Sequence, residues 1–295
     1  MKFLNRLFGP RGEAQTAQGS PRDPAPGREN ALPASAMEQA AREIERLAPA
    51  QALVLLQFLR TGLDQSTSEA LHYQAAEALT AAVYPKYKFS EYARVFLEDE
   101  AFLDYYRRIM DVGNWHSLDR KYTLNQLLRL TLHLDGDVVE CGTYKGASAL
   151  LMCRAHRETG RHVHLFDSFE GLSEPDHRDG EYWTRGALSM PEASVRETLA
   201  GLDNYRTYKG WIPERFVEIA GAPIAFLHVD VDLYQPTLDS VAFFYRQIVP
   251  GGVILLDDYG FTTCPGATRA ADEFFADKPE RIAMLPTGQA FTVKQ

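Results

Sequence analysis

The sequence predicts an α/β protein built on a doubly wound, seven-stranded sheet whose last strand is antiparallel. After Asp111, short apolar runs typical of buried strands alternate with helix-forming stretches. Two of these runs end in pairs of aspartates, and in an open α/β sheet ligands bind at that end of the strands. Only four residues separate the last two strand candidates. That connection is too short for a parallel crossover and predicts an antiparallel hairpin at one end of the sheet.

Two regions precede the sheet. Residues 9–35 are rich in Pro, Gly, Ala and charge, so they cannot bury enough apolar surface to order themselves. We therefore expect a disordered segment over 1–35. Residues 36–110 have helical periodicity, with a capping box at Ser66 and Glu69 and a candidate cap at Ser90. They predict a helical N-terminal region, followed by one domain over 111–295.

The elements of this domain follow from apolar runs for strands and from capped, 3.6-periodic stretches for helices. The strand candidates, in order, are 137–142, 162–168, 205–211, 224–232, 251–259, 281–285 and 290–294. The clearest helices between them are 146–160, 189–202 and 237–249.

Composition excludes several classes of function. The net charge of −9 argues against a nucleic-acid partner, because phosphate binding needs a basic stripe. Three cysteines without metal-ligand spacing are typical of a reducing cytosol. There is no apolar run near the roughly 20 residues that cross a bilayer, and no signal-peptide pattern. We expect a cytoplasmic protein without a transmembrane segment; the sequence leaves homo-oligomerisation open.

The aspartates that follow two strands predict a metal site. Asp230 and Asp232 close one apolar run, and Asp257 and Asp258 close another. Four carboxylates at neighbouring strand ends would repel one another, and an apolar sheet supplies no counter-charge, so a divalent cation is expected there. Helix capping is the alternative, but it accounts for one carboxylate per strand. Because Asp230 and Asp232 alternate along a strand, they should share one face of the sheet.

The turn after the first strand predicts a nucleoside site. Gly142 and Gly146 let the backbone approach a ligand before the next helix begins. Asp167, twenty-seven residues after Glu140, can hold ribose hydroxyls. Tyr144 stands where a second glycine of a G-x-G-x-x-G motif would be, so a phosphate-bearing dinucleotide is not expected. S-adenosylmethionine is the commonest nucleoside cofactor without phosphates.

Several other residues allow two interpretations. Tyr208 and Trp211 could cover an adenine ring or pack a strand. His164 and His228 lie inside apolar strands, which favours core histidines over ligands or bases. The polar loop at 177–183 either gates a site or is simply solvated.

Several motifs together resemble those of the macrocin O-methyltransferase (TylF-like) family: VVECGTYKGAS, LFDSFEGL, YKGW, HVDVDLYQPT and LLDDYGFTTCPGATRAADEF. The resemblance covers roughly 111–275. It implies a Rossmann-like methyltransferase sheet and an enzyme that uses S-adenosylmethionine and Mg²⁺. The acceptor implied is a hydroxyl on a small molecule or glycan, such as a sugar or a glycosylated compound.

The resemblance also assigns roles. It implies that Asp230, Asp257 and Asp258 bind Mg²⁺ and that Asp232 is the catalytic base. The chain departs mildly from the family where Tyr144 and Val231 stand. Together with the turn and the second strand, the candidate cofactor-binding residues are Glu140, Gly142, Tyr144, Gly146, Ser148, Asp167, Gly210 and Trp211.

Two other functions remain as alternatives. A glycosyltransferase could use Asp230 and Asp232 to hold Mg²⁺ and a sugar nucleotide, but it would leave Asp167 and the second acidic pair unused. A non-catalytic scaffold with this fold would be expected to have lost acids at the site, and all are present.

Overall fold

The computed structural model describes residues 98–109 and 117–295, together with the single residues Arg42, Arg46, Leu55, Arg60, His72 and Ala76. The expected disordered segment 1–35, and the capping residues Ser66, Glu69 and Ser90, lie outside these residues. The chain divides into two compact units, Met1–Arg108 and Ile109–Gln295.

Helix α1 (Glu100–Ile109) belongs almost wholly to the first unit. Asp99 begins it by accepting a hydrogen bond from the Phe102 N–H at 3.0 Å. A glutamate in its first turn and two arginines in its last turn complement the helix dipole.

The second unit alternates strands and helices. Its elements are α2 (Leu118–Arg129), β1 (Asp137–Cys141), α3 (Ala147–Ala155), β2 (Val163–Asp167), α4 (Glu192–Thr198), β3 (Tyr205–Lys209), β4 (Ile224–Val229), α5 (Tyr234–Phe244), β5 (Ile248–Leu256), α6 (Pro265–Phe275), β6 (Ala283–Met284) and β7 (Ala290–Val293).

The seven strands of the described residues form one sheet with the order β3-β2-β1-β4-β5-β7-β6. β1 to β5 run parallel to one another, whereas β7 runs antiparallel to both β5 and β6. The predicted doubly wound sheet with an antiparallel last strand is therefore confirmed. From β1 the chain adds β2 and then β3 on one side of the sheet, and it then crosses to add β4 and β5 on the other side of β1. The topological switch point therefore lies between β1 and β4.

Alternation along the strands sends side chains to two faces. Val139 and Leu227 face a core cluster that contains Val241 and Phe244 of α5 and Phe275 of α6. Neighbouring residues of β1 and β4 face the opposite side, and Glu140 and His228 are among them. Glu140 and His228 thus lie on the face away from this cluster, whereas His164 of β2 shares a face with Phe166, which belongs to the cluster.

Several element boundaries differ from the predictions, and those that flank the acidic residues matter most. β4 ends at Val229 and β5 at Leu256, so all four aspartates lie beyond the strands. α5 begins at Tyr234, earlier than expected. α2 was not predicted; Ser117 begins it by accepting a hydrogen bond from the Arg120 N–H at 3.2 Å. Within the described part of the chain, no helix is long and apolar enough to cross a membrane.

Candidate active-site cleft

A cleft of about 680 Å³ opens at the carboxyl ends of β1 and β4, a volume within the range of small-molecule sites. Its lining includes residues from both predicted sites: Gly142, Tyr144, Asp167, Trp211, Asp230, Asp232 and Asp258. The turn after β1 and the acids after β4 and β5 therefore share one space, although they are far apart in sequence.

Gly142 follows β1 and lies close to the backbone of Asp230, which follows β4. Its φ is +85°, and a Cβ there would lie 1.8 Å from the Asp230 carbonyl oxygen. Only glycine accommodates both the left-handed backbone and this contact. Gly142 thereby sets the distance between the glycine turn and the first aspartate of the acidic group.

Asp167 holds the glycine turn in place. One of its carboxylate oxygens accepts hydrogen bonds from the N–H groups of Thr143 at 2.8 Å and Tyr144 at 2.9 Å. The other accepts from the Phe169 N–H at 2.7 Å. Burial raises the pKa of Asp167 despite these bonds. Asp167 thus both organises the turn and faces the cleft.

Other predicted cofactor residues lie outside the cleft lining. The Ser148 hydroxyl is buried and accepts a hydrogen bond from the Lys121 ammonium. Gly146 is the left-handed residue before α3, and Gly210 donates to the Asp167 carbonyl at 3.0 Å. Tyr208 stacks on Phe166 with ring centroids 4.4 Å apart, so the packing interpretation holds for it, whereas Trp211 lines the cleft.

The four aspartates gather into two neighbouring groups. Ligand atoms of His228, Asp230 and Asp257 lie within 4.8 Å of one another, and so do those of Asp232, Asp258 and Cys264. The expectation that Asp230 and Asp232 share a sheet face does not apply, because the chain has left the sheet and Asp232 has a left-handed φ of 61°. Of the predicted Mg²⁺ ligands, Asp230 and Asp257 belong to the first group and Asp258 belongs to the second.

Helix capping does not explain these carboxylates. α5 begins after Leu233, which makes no side-chain cap, and the Tyr234 N–H donates instead to Asp179 at 2.6 Å. α6 begins after Cys264, also without a side-chain cap. Asp258 instead accepts from the Asp232 N–H at 2.9 Å and so joins the two acidic segments.

The sheet does receive counter-charges, contrary to the expectation from sequence. α2 places Arg120 and Lys121 beneath the cleft, both buried. The Arg120 Nη2 pairs with the Asp257 Oδ2 and lies 3.7 Å from the Asp258 Oδ1. Burial lowers the pKa of Lys121 to about 8, while the nearby Asp230 acts to raise it. A capping serine at 117 before a leucine-rich stretch was the signal that could have located this helix.

His228 lies at the centre of a buried polar network. Its Nδ1 is 3.1 Å from the Glu140 Oε1, and its Nε2 is 3.3 Å from the Asp257 Oδ1. Burial lowers the pKa of His228 to about 3 and raises the pKa of Glu140 well above its usual range. A protonated Glu140 can then donate to Nδ1 while Nε2–H donates to Asp257.

His164 is also bonded at both ring nitrogens, by Tyr208 at 2.8 Å and Asp137 at 3.0 Å. Both histidines are therefore satisfied core residues, as predicted. His228 differs from His164 in one respect, because its network reaches Asp257, a buried carboxylate next to Asp258 of the cleft lining, and helps to orient it.

Asp232 is one of the buried carboxylates of the site. It lines the cleft, and Cys264 Sγ donates to its Oδ1 at 3.5 Å. Burial and the adjacent Asp230 raise the pKa of Asp232 to about 7. Its backbone has a left-handed φ of 61°, and such strain is common at functional sites.

The long loop after β2 covers part of the cleft. Asp179 is buried and anchors the loop to the start of α5. Trp183 lines the cleft, and its indole N–H donates to Cys264 Sγ at 3.4 Å. Of the two interpretations of the loop at 177–183, a position over the site agrees with the structure.

A family model and several characterised proteins are similar to this chain. The model for macrocin O-methyltransferase (TylF) matches residues 119–282. An 8-demethyl-8-(2,3-dimethoxy-alpha-L-rhamnosyl)-tetracenomycin-C 4'-O-methyltransferase of Streptomyces olivaceus is 34% identical over 149 residues, 45% of this chain and 56% of that protein. A demethyldecarbamoylnovobiocin O-methyltransferase of Streptomyces niveus is 29% identical over 158 residues, 49% of this chain and 60% of that protein. The chain thus spans less than two thirds of either relative.

Solved structures agree on the fold. The O-methyltransferase NovP superposes with a TM-score of 0.53 and 25% identity, over 62% of this chain and 84% of NovP. The calicheamicin methyltransferase CalS11 superposes with a TM-score of 0.54 over 84% of this chain and 94% of CalS11. At 14% identity, CalS11 supports the Rossmann-like sheet alone.

Proposed function

The chain belongs to the macrocin O-methyltransferase family, and from that premise we propose that it methylates a hydroxyl of a sugar or glycosylated small molecule, using S-adenosylmethionine and Mg²⁺. The observation that carries this proposal is the shared cleft. The cleft is lined by Gly142 and Asp167 of the predicted nucleoside site and also by three acids of the predicted metal and base site, Asp230, Asp232 and Asp258. A methyl donor and a metal-assisted acceptor need such proximity, because transfer requires oxygen, methyl carbon and sulfur in line.

The residues fit the cofactor. The cleft lining includes Gly142 of the glycine turn at the switch point, Asp167 at the end of β2, and Trp211. We propose that Asp167 accepts from the ribose hydroxyls with the lone pairs left by its backbone hydrogen bonds, and that Trp211 covers the adenine.

The residues also fit a hard divalent cation. Asp230, Asp257 and Asp258 offer carboxylate oxygens, the ligands that Mg²⁺ prefers. These acids outnumber the arginine and lysine that face them, so a further positive charge would be stabilising. His228 and Gln289 hold the Asp257 Oδ1, Gln289 at 2.6 Å, so a cation on this carboxylate would take Oδ2, the oxygen that Arg120 contacts.

Bound S-adenosylmethionine would supply the methyl group, and bound Mg²⁺ would polarise the acceptor oxygen. Asp232 takes the hydroxyl proton, because its raised pKa of about 7 matches a base that works near neutral pH. Trp183 and Phe261 also line the cleft, and we propose that they contact the acceptor.

The acceptor class rests on the relatives. The tetracenomycin enzyme's name specifies a rhamnosyl compound. An aromatic wall that includes Trp183 suits the apolar face of a sugar ring.

Transfer of a radiolabelled methyl group from S-adenosylmethionine to a panel of rhamnosides and hexosides tests the proposal. Label should reach a glycoside in Mg²⁺, disappear in excess EDTA and return when Mg²⁺ is restored. Calorimetry should show binding of S-adenosylmethionine and none of UDP-glucose. Binding of the sugar nucleotide instead would favour the glycosyltransferase alternative. Transfer that continues in excess EDTA would reject the role of the metal.

A further inference from the structure

Arg120 lies where a divalent cation would bind. It is in the first turn of α2, and its side chain is 11% exposed and lines the cleft. The guanidinium pairs with Asp257 and approaches Asp258. Its Cζ lies 4.7 Å from the centre of the Phe261 ring, within cation–π distance.

The oxygen that Arg120 contacts is the one that a metal ion would need. The Asp257 Oδ1 is already within hydrogen-bonding distance of His228 and Gln289. Oδ2 is therefore the oxygen left to face a cation, and Arg120 Nη2 is paired with it. Asp257 and Asp258 also fall in different ligand groups, and the guanidinium bridges them. An ion shared by both carboxylates would occupy the same place.

We propose that Arg120 is a built-in counter-ion. It neutralises Asp257 and Asp258 when no divalent cation is bound, and it releases the Asp257 Oδ2 when one binds. This inference rests on the proposed function, because Mg²⁺ binding by these acids is itself proposed there. The cleft gives the guanidinium open space to move into. Two states follow, one held by arginine and one held by metal, and they exclude each other at that oxygen.

The two states predict how the protein responds when the arginine charge is removed. Buried carboxylates without a partner repel one another, so the metal-free protein with Arg120→Gln should be less stable. Mg²⁺ would then no longer compete with a positive charge a few ångströms away. The affinity for Mg²⁺ should increase by about 10-fold or more, as expected for removal of one nearby opposing charge.

Calorimetric titration of the metal-free full chain with MgCl₂ measures this affinity for wild type, Arg120→Gln and Arg129→Gln. Arg129 is a matched control, because it is on the same helix, is exposed and bonds Gln126 at 3.2 Å. Arg120→Gln should bind Mg²⁺ more tightly, and Arg129→Gln should match wild type. In thermal unfolding, Arg120→Gln should melt lower in EDTA, and Mg²⁺ should raise its Tm by more than it raises that of wild type.

The outcomes separate this inference from the proposed function. If the wild-type protein binds Mg²⁺ and Arg120→Gln binds it no more tightly, the role of Arg120 is overturned and the proposed function stays intact. If Arg120→Gln binds Mg²⁺ and the wild-type protein does not, the role of Arg120 is supported and the Mg²⁺ dependence of the natural chain is rejected. If neither protein binds Mg²⁺, both the role of Arg120 and the Mg²⁺ dependence in the proposed function are overturned.

A crystal structure of the wild-type protein with Mn²⁺ tests the inference without any substitution. The guanidinium should be displaced from the Asp257 Oδ2 where the ion contacts that carboxylate. An ion on Asp257 with the guanidinium still paired to Oδ2 would contradict the proposal.

Discussion

At the scale of single residues, the four aspartates that follow β4 and β5 have different surroundings. Asp257 is fully buried and held by His228, Gln289 and Arg120, whereas Asp232 receives a weak hydrogen bond from Cys264. A ligand benefits from rigid orientation, and a base needs a free lone pair and a suitable pKa. These surroundings agree with the different roles proposed for the two residues.

Asp232→Asn should reduce kcat by about 10²–10⁴-fold, because the amide cannot accept the hydroxyl proton. Asparagine tolerates the left-handed backbone at this position, so the fold should persist. Steady-state kinetics on the glycoside identified by the labelling panel measures kcat, and calorimetry measures Mg²⁺ and S-adenosylmethionine affinities, which should stay close to wild type. Asp203→Asn, at an exposed site, is the control. Lost Mg²⁺ affinity in Asp232→Asn would make this residue a ligand rather than a base.

The sequence identified the acids but not their basic partners. Asp230, Asp257 and their neighbours follow apolar strands, and that local pattern is visible in the chain. The contact between Arg120 and Asp257 joins distant parts of the chain through tertiary packing. No local pattern encodes such a contact, which is why the counter-charge was missed.

At the scale of elements, the strands were predicted best where both faces are buried. Every residue of β4 is buried, so its apolar run is unbroken in sequence. α2 was missed because Arg120 and Lys121 lie among its buried residues and interrupt the apolar stripe. The predicted carboxyl ends of β4 and β5 lie too far along the chain, because Asp230 and Asp257 directly follow the apolar runs of these strands.

Gly142→Ala should show how closely β1 and β4 must approach. The added methyl group combines a left-handed φ of +85° with a contact at 1.8 Å from the Asp230 carbonyl. Gly201→Ala is a matched control, because its φ is +84° and nothing lies within 4 Å of the added atom. Gly201→Ala should cost about 1 kcal/mol of unfolding free energy, and Gly142→Ala about 2 kcal/mol more. Urea denaturation measures both; equal losses would contradict the close-approach argument.

Glu280 links β7 to the end of α5 and should give a pH-dependent stability. It accepts hydrogen bonds from Lys294 at 2.7 Å and from the Tyr245 hydroxyl at 2.6 Å. Burial opposes its ionisation, but these bonds outweigh burial and lower the pKa of Glu280 to about 2. A depressed carboxyl pKa stabilises the fold above the unfolded pKa of about 4.5, and this stabilisation is lost as pH falls toward 2.

Glu280→Gln should therefore lower Tm at pH 7, and the difference from wild type should shrink between pH 4.5 and pH 2. Thermal melts across this pH range measure the effect. Glu158→Gln, at an exposed turn, should change Tm little at any pH. A difference between Glu280→Gln and wild type that stays constant down to pH 3 would show that lost packing, rather than ionisation, explains the destabilisation.

At the scale of the whole molecule, the part of the cleft lining that the structure describes comes from one continuous part of the chain. Its lining residues run from Arg120 to Cys264, all within the unit Ile109–Gln295. The family model covers nearly the same residues, 119–282. Helices and strands of this unit bring together the glycine turn, the acids and their counter-charges.

Removal of residues 1–40 should therefore leave S-adenosylmethionine binding within about twofold of the full chain. Residues 9–35 carry a single leucine and no aromatic residue, so they have little apolar surface with which to build a core. Calorimetry on the full and shortened chains measures the affinity, and circular dichroism checks that the shortened chain is folded. If a folded, shortened chain binds the cofactor more than tenfold more weakly, residues 1–40 contribute to the cofactor site, and a cleft built from the second unit alone would be incomplete.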